Sequence, residues 1–378
     1  MSTFQSNATQ RQALADELAA AAERGADFIE HALRGPDEGG WQGDLTAHYR
    51  SPLALVSVGR KELAEATLSR FEDDLLYHFS TFAGRPAREL SLEQTRITNF
   101  HEFPLYQPAW LALSAWRVGN RHLATAALDY VLSFHDEGAG APVVAGPGAR
   151  QVELAQSAIT GLSCLAAGRE GPAAAIAKTL GAAVEVMLAG DEPELHFRFT
   201  PGHPESPIRT TVAGQAHLYS IVPGEPAQFY WVLGLLLSFL DAQARRSGPA
   251  SDASFAAELA HQVELSLAFL DRCHRDWPHY APWKLGGAFA GLSSASIPDA
   301  LRRRAGHELE AIAKNLIALQ QDDGSWLWPE TGIEPEDAPA EAAADRGPLE
   351  VIADITAENV LWIARMAPVL RGAPCPEL

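Results

Sequence analysis

Acid and base side chains stand just before the apolar stretches of this chain. Asp44 and His48 are four residues apart, so on a helix they share one face. A carboxylate beside an imidazole can pass a proton near neutral pH, and we expect these two residues to be the acid–base pair. Tyr49 and Tyr106 precede different apolar stretches. Their phenols can donate a proton or orient a carbonyl group, so we add both to the predicted catalytic set.

A lysine in an apolar setting completes the predicted catalytic set. Lys284 stands between Trp283 and Leu285, neighbours that disfavour its charge and suit a base or an anchor for an anion. Polar and aromatic residues precede the other apolar stretches in the same way, and a site for an apolar ligand with a few oxygens needs such a ring. Arg50 and Glu153 also stand just before apolar stretches. We expect the substrate-binding residues of this ring to be Gln107, Gln156, Gln228, Tyr230, Trp231, Trp283, Asp354 and Glu358.

Helix capping is the alternative explanation for part of this ring. Asp and Ser are common at helix starts, which accounts for Asp44 or Ser51. Capping does not account for Tyr, Gln and Lys at matched positions: Gln107 and Gln156 each lie twelve residues before a glycine. A purely structural role stays open for each residue taken singly.

The unit that carries these residues is an apolar helix, a glycine and an amphipathic helix. Apolar runs end at Gly59, Gly119 and Gly168, and glycine can take the left-handed conformation that reverses the chain between antiparallel helices. Six such units predict an all-α fold, an (α/α)6 toroid (barrel) of six helical hairpins, and a two-domain helical bundle is the alternative. The predicted outer and inner helices are 9–34 with 48–58, 60–79 with 105–118, 120–135 with 151–167, 170–189 with 226–242, 253–275 with 282–293, and 298–320 with 350–368.

Two stretches interrupt the helical pattern. Residues 192–222 include segments in which polar and apolar residues alternate, which predicts a small β-hairpin insertion. Residues 322–348 are rich in Pro, Glu, Ala and Asp, and we expect them to form a mobile loop. Either stretch could cover one mouth of a central cavity. The chain is predicted to be a single domain over residues 1–378.

The sequence Gln320-Gln-Asp-Asp-Gly324-Ser-Trp326 follows an apolar-periodic helix. Gly324 is expected to break this helix and Trp326 to fold back over its end. The spacing resembles the QW motif of the squalene-hopene and oxidosqualene cyclases, terpenoid-cyclase-like α/α toroids in which Gln and Trp tie consecutive helices together. The resemblance implies the toroid fold. The residues predicted to share the apolar face of the preceding helix are Leu309, Ile312, Leu316, Ile317 and Leu319.

The catalytic motifs of that superfamily are not met by this chain. Class II terpene cyclases carry Asp-x-Asp-Asp, and the nearest match, residues 71–74, begins with Phe71. Class I enzymes carry Asp-Asp-x-x-Asp, and Tyr77 stands in place of the last Asp. Metal-ligand spacings and glycine-rich nucleotide loops are missing as well. We therefore expect no metal and no cofactor, as in the linalool-dehydratase-like toroids, which this layout also resembles and which act through acid–base residues and cysteines.

Composition limits the partners. A formal net charge of −19 over 378 residues argues against binding to nucleic acid or to anionic membranes, which needs clustered Lys and Arg. An anionic substrate would need a local cationic patch. The three cysteines are scattered, the first residues do not form a signal peptide, and the apolar run 229–240 is too short to span a bilayer, so we expect a cytoplasmic protein without membrane insertion. Homo-oligomerisation is left open.

Together these features predict an enzyme that isomerises, dehydrates or cyclises a mostly apolar small molecule by acid–base chemistry. A terpenoid or a polyketide-like intermediate would suit such a cavity. Two alternatives remain from the sequence: a carbohydrate-active toroid, either a lyase or a hydrolase, and a non-catalytic protein that binds a small molecule.

Overall fold

The computed structural model describes residues 2–34, 49–70, 72–73, 75–76, 79, 104–145, 150–209, 219–225, 228–247, 253–273, 282–294, 298–327 and 349–378. Within these ranges the chain is mostly helical, as predicted. The helices are α1 (Ser2–Arg34), α2 (Ser51–Ser57), α3 (Lys61–Ser69), α4 (Tyr106–Val118), α5 (Arg121–Leu132), α6 (Leu154–Ala166), α7 (Glu170–Leu188), α8 (Tyr230–Arg246), α9 (Ala253–Arg272), α10 (Pro282–Ser294), α11 (Asp299–Leu319) and α12 (Leu349–Leu370). Each corresponds to one of the twelve predicted helices.

The even-numbered helices form the centre of the described structure. Each contacts the next even-numbered helix, and α12 contacts α2. Helices α4, α6 and α8 are buried on nearly every side, as expected of helices that are apolar all round. Each of α2, α4, α6, α8 and α10 packs against the odd-numbered helix that follows it, and α1 packs along α12. The odd-numbered helices α5, α7 and α9 keep an exposed face.

The predicted glycine turns join these helices. Gly59, Gly119 and Gly168 all have positive φ, at 84°, 101° and 71°. After Gly59 and Gly168 the next backbone N–H returns to the helix: Arg60 N donates to Leu55 O at 2.9 Å. This bond satisfies a carbonyl that the end of the helix would leave unpaired. The turns therefore set consecutive helices antiparallel.

Among the described residues, eight short strands lie between the helices: β1 (His135–Asp136), β2 (Ala141–Pro142), β3 (Val144–Ala145), β4 (Arg150–Glu153), β5 (Leu195–His196), β6 (Arg198–Thr200), β7 (His203–Pro207) and β8 (Ser220–Ile221). Strands β6 and β7 form an antiparallel hairpin inside the predicted range 192–222. Strands β3, β4, β6 and β7 form one four-stranded sheet in that order, so the hairpin pairs with strands that were not predicted. Residues 151–153 were predicted as helix and are strand instead, because runs this short carry too few residues to show a period of two.

The turn after α11 ties three helices together. Gln320 Nε2 donates to Ala21 O in α1 at 2.8 Å. The Trp326 indole folds back and donates to Leu316 O at 2.8 Å, as predicted from the spacing of the motif. The backbone N–H of Trp326 donates to Thr356 Oγ1 in α12 at 3.1 Å. The side chains and backbone of this turn thus hold α1, α11 and α12 at fixed relative positions.

One part of the prediction for α11 is wrong. Leu309, Ile312 and Leu316 are buried on one face, and Ile317 is half-buried beside them. Leu319 is 38% exposed. It is the last residue of the helix, where the chain leaves for the Trp326 turn, so its side chain has no helix to pack against. The predicted loop 322–348 is described only as far as residue 327, and residues 328–348 lie outside the described residues.

Candidate functional site

The amino-terminal ends of the central helices bring four charged side chains together. Arg50 directly precedes α2, Lys284 lies in the first turn of α10, and Asp354 and Glu358 lie in the first three turns of α12. All four are at most 6% exposed. We refer to Arg50, Lys284, Asp354 and Glu358 as the buried charge cluster. It holds two positive and two negative groups in the interior, where an unpaired charge is strongly unfavourable.

Arg50 joins the two acids of the cluster. Its Nε donates to Asp354 Oδ1 at 2.9 Å, and its Nη2 donates to Asp354 Oδ2, which gives a two-pronged pair. Its Nη1 lies 2.5 Å from Glu358 Oε2. The Tyr49 hydroxyl donates to Asp354 Oδ2 at 3.1 Å. Asp354 is therefore held from two sides, and Glu358 keeps one oxygen for Lys284.

Lys284 sits between a carboxylate and aromatic faces. Its Nζ lies 2.6 Å from Glu358 Oε1. The same atom lies 4.2 Å from the centre of the Trp231 ring and 5.6 Å from that of Tyr106. A cation over an aromatic face is attracted by the ring, and the attraction is stronger away from water. The ammonium group is thus stabilised by one acid and two rings.

Burial changes the protonation of this site. It lowers the pKa of Lys284 to about 8, although Glu358 acts to raise it. Burial acts against the ionised form of Glu358, but Arg50 and Lys284 outweigh it and the pKa of Glu358 is lowered. Burial raises the pKa of Asp354 in spite of Arg50. With a pKa of about 8, Lys284 can exchange a proton under ordinary conditions.

Aromatic rings surround the cations. The Tyr106 ring meets those of Tyr49, Trp110 and Trp231 edge to face, with centroids 6.5, 6.2 and 5.8 Å away. Trp110 in turn meets Trp362 at 6.3 Å. Burial raises the pKa of both Tyr49 and Tyr106 well above the ordinary value, so both phenols stay protonated. The wall around the cluster is apolar with phenol hydroxyls set into it.

The structure thus places seven of the predicted residues at one end of the central helices: Tyr49, Tyr106, Trp231, Trp283, Lys284, Asp354 and Glu358. Trp283 is buried beside Lys284 in the first turn of α10. Asp44 and His48, predicted as the acid–base pair, lie outside the described residues. Arg50 was noted at a ring position without a role. A sequence pattern shows at which end a residue lies and does not show which acid it pairs with.

The remaining predicted residues are buried near the same helix ends. Gln156 Oε1 accepts from the backbone N–H of Leu105, and Gln228 Oε1 accepts from that of Val222 at 3.0 Å. These contacts hold the segments that lead into α4 and α8. Tyr230 is fully buried at the start of α8. Gln107 is buried, and its Nε2 has no hydrogen-bond partner among the described residues.

Glu153 caps α6. Its carboxylate accepts from Ala155 N at 3.1 Å and from Gln156 N at 2.6 Å. Burial raises the pKa of Glu153 to about 7, against these hydrogen bonds and the nearby Arg198. For this ring position the capping explanation is the one that the contacts support.

Searches against protein-family models, curated proteins and solved structures found no match to this chain. Among the described residues no group of three or more His, Cys, Asp and Glu side chains could hold a metal ion. One described helix, α7, is long and apolar enough to cross a membrane by length and composition. Half of its most apolar window is buried inside the protein, so it is weak support for membrane insertion.

Proposed function

We propose that this chain is an (α/α)6 toroid whose buried charge cluster performs acid–base chemistry on a mostly apolar small molecule without a cofactor. The reaction would be an isomerisation, a dehydration or a cyclisation. The observation that carries the proposal is the position of Lys284, with its Nζ 2.6 Å from Glu358 and 4.2 Å from the Trp231 ring centre.

Two observations support the toroid. The contacts among α2, α4, α6, α8, α10 and α12 follow a cyclic order, in which the last helix returns to the first. The Gln320–Trp326 turn makes the kind of interhelical ties that its resemblance to the QW motif implies. A cyclic order of central helices with amphipathic helices outside them is the layout of a toroid of the terpenoid-cyclase-like kind.

The energetic cost of the cluster supports a functional role. Burying four charges is expensive, and well-packed apolar residues in the same space often give equal or greater stability. Strongly shifted pKa values gather at functional sites, because catalytic acids and bases need pKa values matched to their task. An acid–base site needs a base that is partly neutral near pH 7, and Lys284, with a pKa of about 8, is such a base. It also needs acidic groups held in fixed positions, and Asp354 is held by Tyr49 and Arg50.

Each residue has a distinct role in the proposed reaction. Neutral Lys284 accepts a proton from a carbon next to a carbonyl group, and Glu358 stabilises the ammonium that forms. Arg50, which has more N–H groups than its contacts with the two acids use, donates a hydrogen bond to the oxygen that becomes negative. The ammonium then returns the proton at another carbon in an isomerisation, or to a departing hydroxyl in a dehydration. Atoms and electrons balance without a cofactor in both cases.

Proton exchange with solvent tests this role. The protein in D2O is incubated with a panel of terpenoid ketones and polyketide-like acids, and deuterium in each compound is followed by NMR. We expect incorporation with the unchanged protein and a loss of about 100-fold or more in Lys284→Met. Lys314→Met on the exposed face of α11 is the matched control and should behave like the unchanged protein.

The outcomes separate a site from a structural cluster. Equal exchange in a folded Lys284→Met variant would remove Lys284 from the mechanism. If the unchanged protein exchanges none of the panel and shows no saturable binding to it, the cluster is structural, in accord with the mutual pairing of its four charges.

A further inference from the structure

A second polar feature lies at the other ends of the same helices. A pocket of about 290 Å³ is formed between α4, α6, α8 and α12 and the residues that follow α12. Four arginines line it: Arg117, Arg245, Arg246 and Arg365. Its volume lies just below the roughly 300–1,000 Å³ that ligand pockets span, so it suits a small ligand. About 10 Å of helix α12 separates Glu358 from Arg365, since each residue adds about 1.5 Å.

A position at the end of a helix accounts for three of these arginines, but not for Arg365. Arg117 lies in the last turn of α4, and Arg245 and Arg246 lie in the last turn of α8, where cations favour the helix dipole. Arg365 lies more than a turn before the end of α12, whose last turn has no basic residue. It is 4% exposed. Burying a guanidinium there needs another reason.

Arg365 has hydrogen-bonding capacity to spare. Its Nε has no partner among the described residues. Its Nη2 makes a 3.4 Å contact with Cys375 Sγ, a weak acceptor, and its guanidinium lies 5.5 Å from the centre of the Trp362 ring. Asp241 is close enough for its charge to act on Arg365, but no hydrogen bond between the two is seen. A buried, charged donor that lines a pocket and has only a sulfur as its hydrogen-bond acceptor among the described residues indicates that an acceptor belongs there.

The side chains of the pocket carry excess positive charge. Asp241 pairs with Arg245 at 2.9 Å, and Glu377 lies 3.5 Å from Arg246. Four arginines less these two acids leave two positive charges. Burial lowers the pKa of Arg117, Glu377 opposes this, and Arg365 and Arg246 add to it. An added anion would reduce the repulsion between these arginines. The positive charge is local, since the net charge of the whole chain is −19.

Part of the pocket lining is apolar. Leu162 and Leu165 of α6 and Ala242 of α8 belong to it. Leu378 is buried and also lines the pocket, and its backbone oxygen accepts from Arg117. Glu377, one residue earlier, places its carboxylate among the arginines. Residues 377–378 therefore present a carboxylate and an apolar group side by side in the pocket.

We propose that this pocket binds a small carboxylate with an apolar body, which takes the place of Glu377 and Leu378. The carboxylate pairs with Arg365, Arg246 and Arg117, and the apolar body lies on Leu162 and Leu165. This site is separate from the buried charge cluster, and it does not depend on the reaction proposed there. It supplies the local cationic patch that an anion needs on so acidic a protein.

Binding of octanoate to the full chain tests the proposal. Titration calorimetry should give saturable binding that weakens as salt is added. Octanol, which has the tail without the charge, and inorganic phosphate, which has the charge without the tail, should each bind much more weakly. Failure of octanoate to bind, or equal binding of octanol or phosphate, would overturn the proposed ligand class.

Variants locate the site. Arg246→Gln changes a partly exposed arginine and should weaken octanoate binding about fivefold, and Glu377→Gln should tighten it about as much, because each alters one partly solvated charge. Arg303→Gln, on the exposed face of α11, is the matched control and should leave the affinity unchanged. If Arg246→Gln and Glu377→Gln both bind like the unchanged protein, octanoate binds elsewhere and the proposal is wrong.

Discussion

The contacts of Lys284 and Glu358 determine how each behaves when the other is changed. Glu358→Gln leaves the Lys284 ammonium buried with no other acid of the described residues in an ion pair with it, and we expect a loss of about 3 kcal/mol in the free energy of unfolding. Adding Lys284→Met to that variant should recover part of the loss, because the unpaired charge is then gone. Urea denaturation of the two single variants and the double variant measures the coupling between the two residues.

An exposed pair of the same kind provides the control for that cycle. Lys61 and Glu65 lie one turn apart on α3 with Nζ and Oε1 3.3 Å apart, and both side chains are at least half exposed. Changes to this pair should alter stability little, since solvent screens exposed charges. Additive effects in the Lys284–Glu358 cycle would contradict the buried pairing.

Titration of Lys284 gives a second expectation at this scale. Its pKa of about 8 predicts that proton exchange catalysed by the protein rises with pH around that value, because the neutral amine is the base. Glu358→Gln removes a charge that favours the ammonium, so the midpoint should move to lower pH. NMR with ¹⁵N-labelled lysine follows the amine directly, and the resonance missing from Lys284→Met identifies it. A midpoint that stays in place without Glu358 would contradict the pairing.

The same pKa predicts a pH-dependent stability. Since the pKa of Lys284 falls from 10.5 to about 8 on folding, the unfolded chain holds this proton more tightly. The penalty for burying the ammonium is fully present below pH 8 and is lost as pH rises toward 10.5. Relative to Lys284→Met, the unchanged protein should become more stable over that interval, by about 3 kcal/mol at most. Denaturation of both proteins at several pH values measures the difference. A difference that falls with pH would contradict the sign.

At this scale the sequence placed several of the residues that meet and did not show how they pair. Lys284, Tyr106 and Glu358 were placed at one end of the central helices because each stands near the start of an apolar inner run. The pairing of Arg50 with Asp354 could not be read in that way. It joins residues 304 positions apart, and a periodic pattern is blind to contacts between helices.

At the scale of elements, glycine allows the helices that carry the site to approach one another. A Cβ at Gly234 in α8 would lie 2.7 Å from the backbone carbon of Lys284 in α10. Neither backbone can yield cheaply, so Gly234→Ala should push the first turn of α10 away from α8 and displace Lys284. We expect a lower Tm and, because a shift of about 1 Å can cost about 100-fold, a large loss of proton exchange.

A glycine in open space is the control for this prediction. A Cβ at Gly171, in the first turn of α7, meets nothing within 4 Å. Gly171→Ala should keep or slightly raise the Tm, since alanine favours the helix. Calorimetry and the exchange assay are applied to both variants. A Gly234→Ala protein with unchanged Tm and exchange would show that α8 and α10 are not held in this close contact.

Elements were predicted well where they were long. The apolar runs that end at Gly59, Gly119 and Gly168 gave helices and turns in the predicted places, because a left-handed glycine after an apolar run is a strong local signal. Strands β1–β4 were missed. Each has only two to four residues: β1 pairs with β2, β3 pairs with β4, and β4 also pairs with β6 of a later segment. Pairing over so few residues leaves little trace in the local sequence.

At the scale of the whole molecule, the proposed toroid and an open array of helices respond differently to one local change. The turn after α11 joins α12 to α1, which is the joint between the last and first parts of the chain. In an open array each repeat contacts only its neighbours, so damage at one end stays local. In a closed ring every helix depends on the contacts at this joint, so weakening them also destabilises the helices on the far side of the ring.

Gly324 is the residue at which to weaken that joint. Its φ is 88°, and a Cβ there would lie 2.4 Å from the backbone oxygen of Arg24 in α1. Gly324→Ala should lower stability by both strain and collision, whereas Gly119→Ala, also at positive φ, meets nothing within 4 Å and carries strain alone.

Hydrogen exchange of α6, far from the turn along the ring of contacts, distinguishes the two architectures. Faster exchange in α6 of Gly324→Ala than of Gly119→Ala supports closure, because only a ring carries the loss from the joint to that helix. Exchange that quickens in α1, α11 and α12 alone would mean that these helices form an array with two free ends.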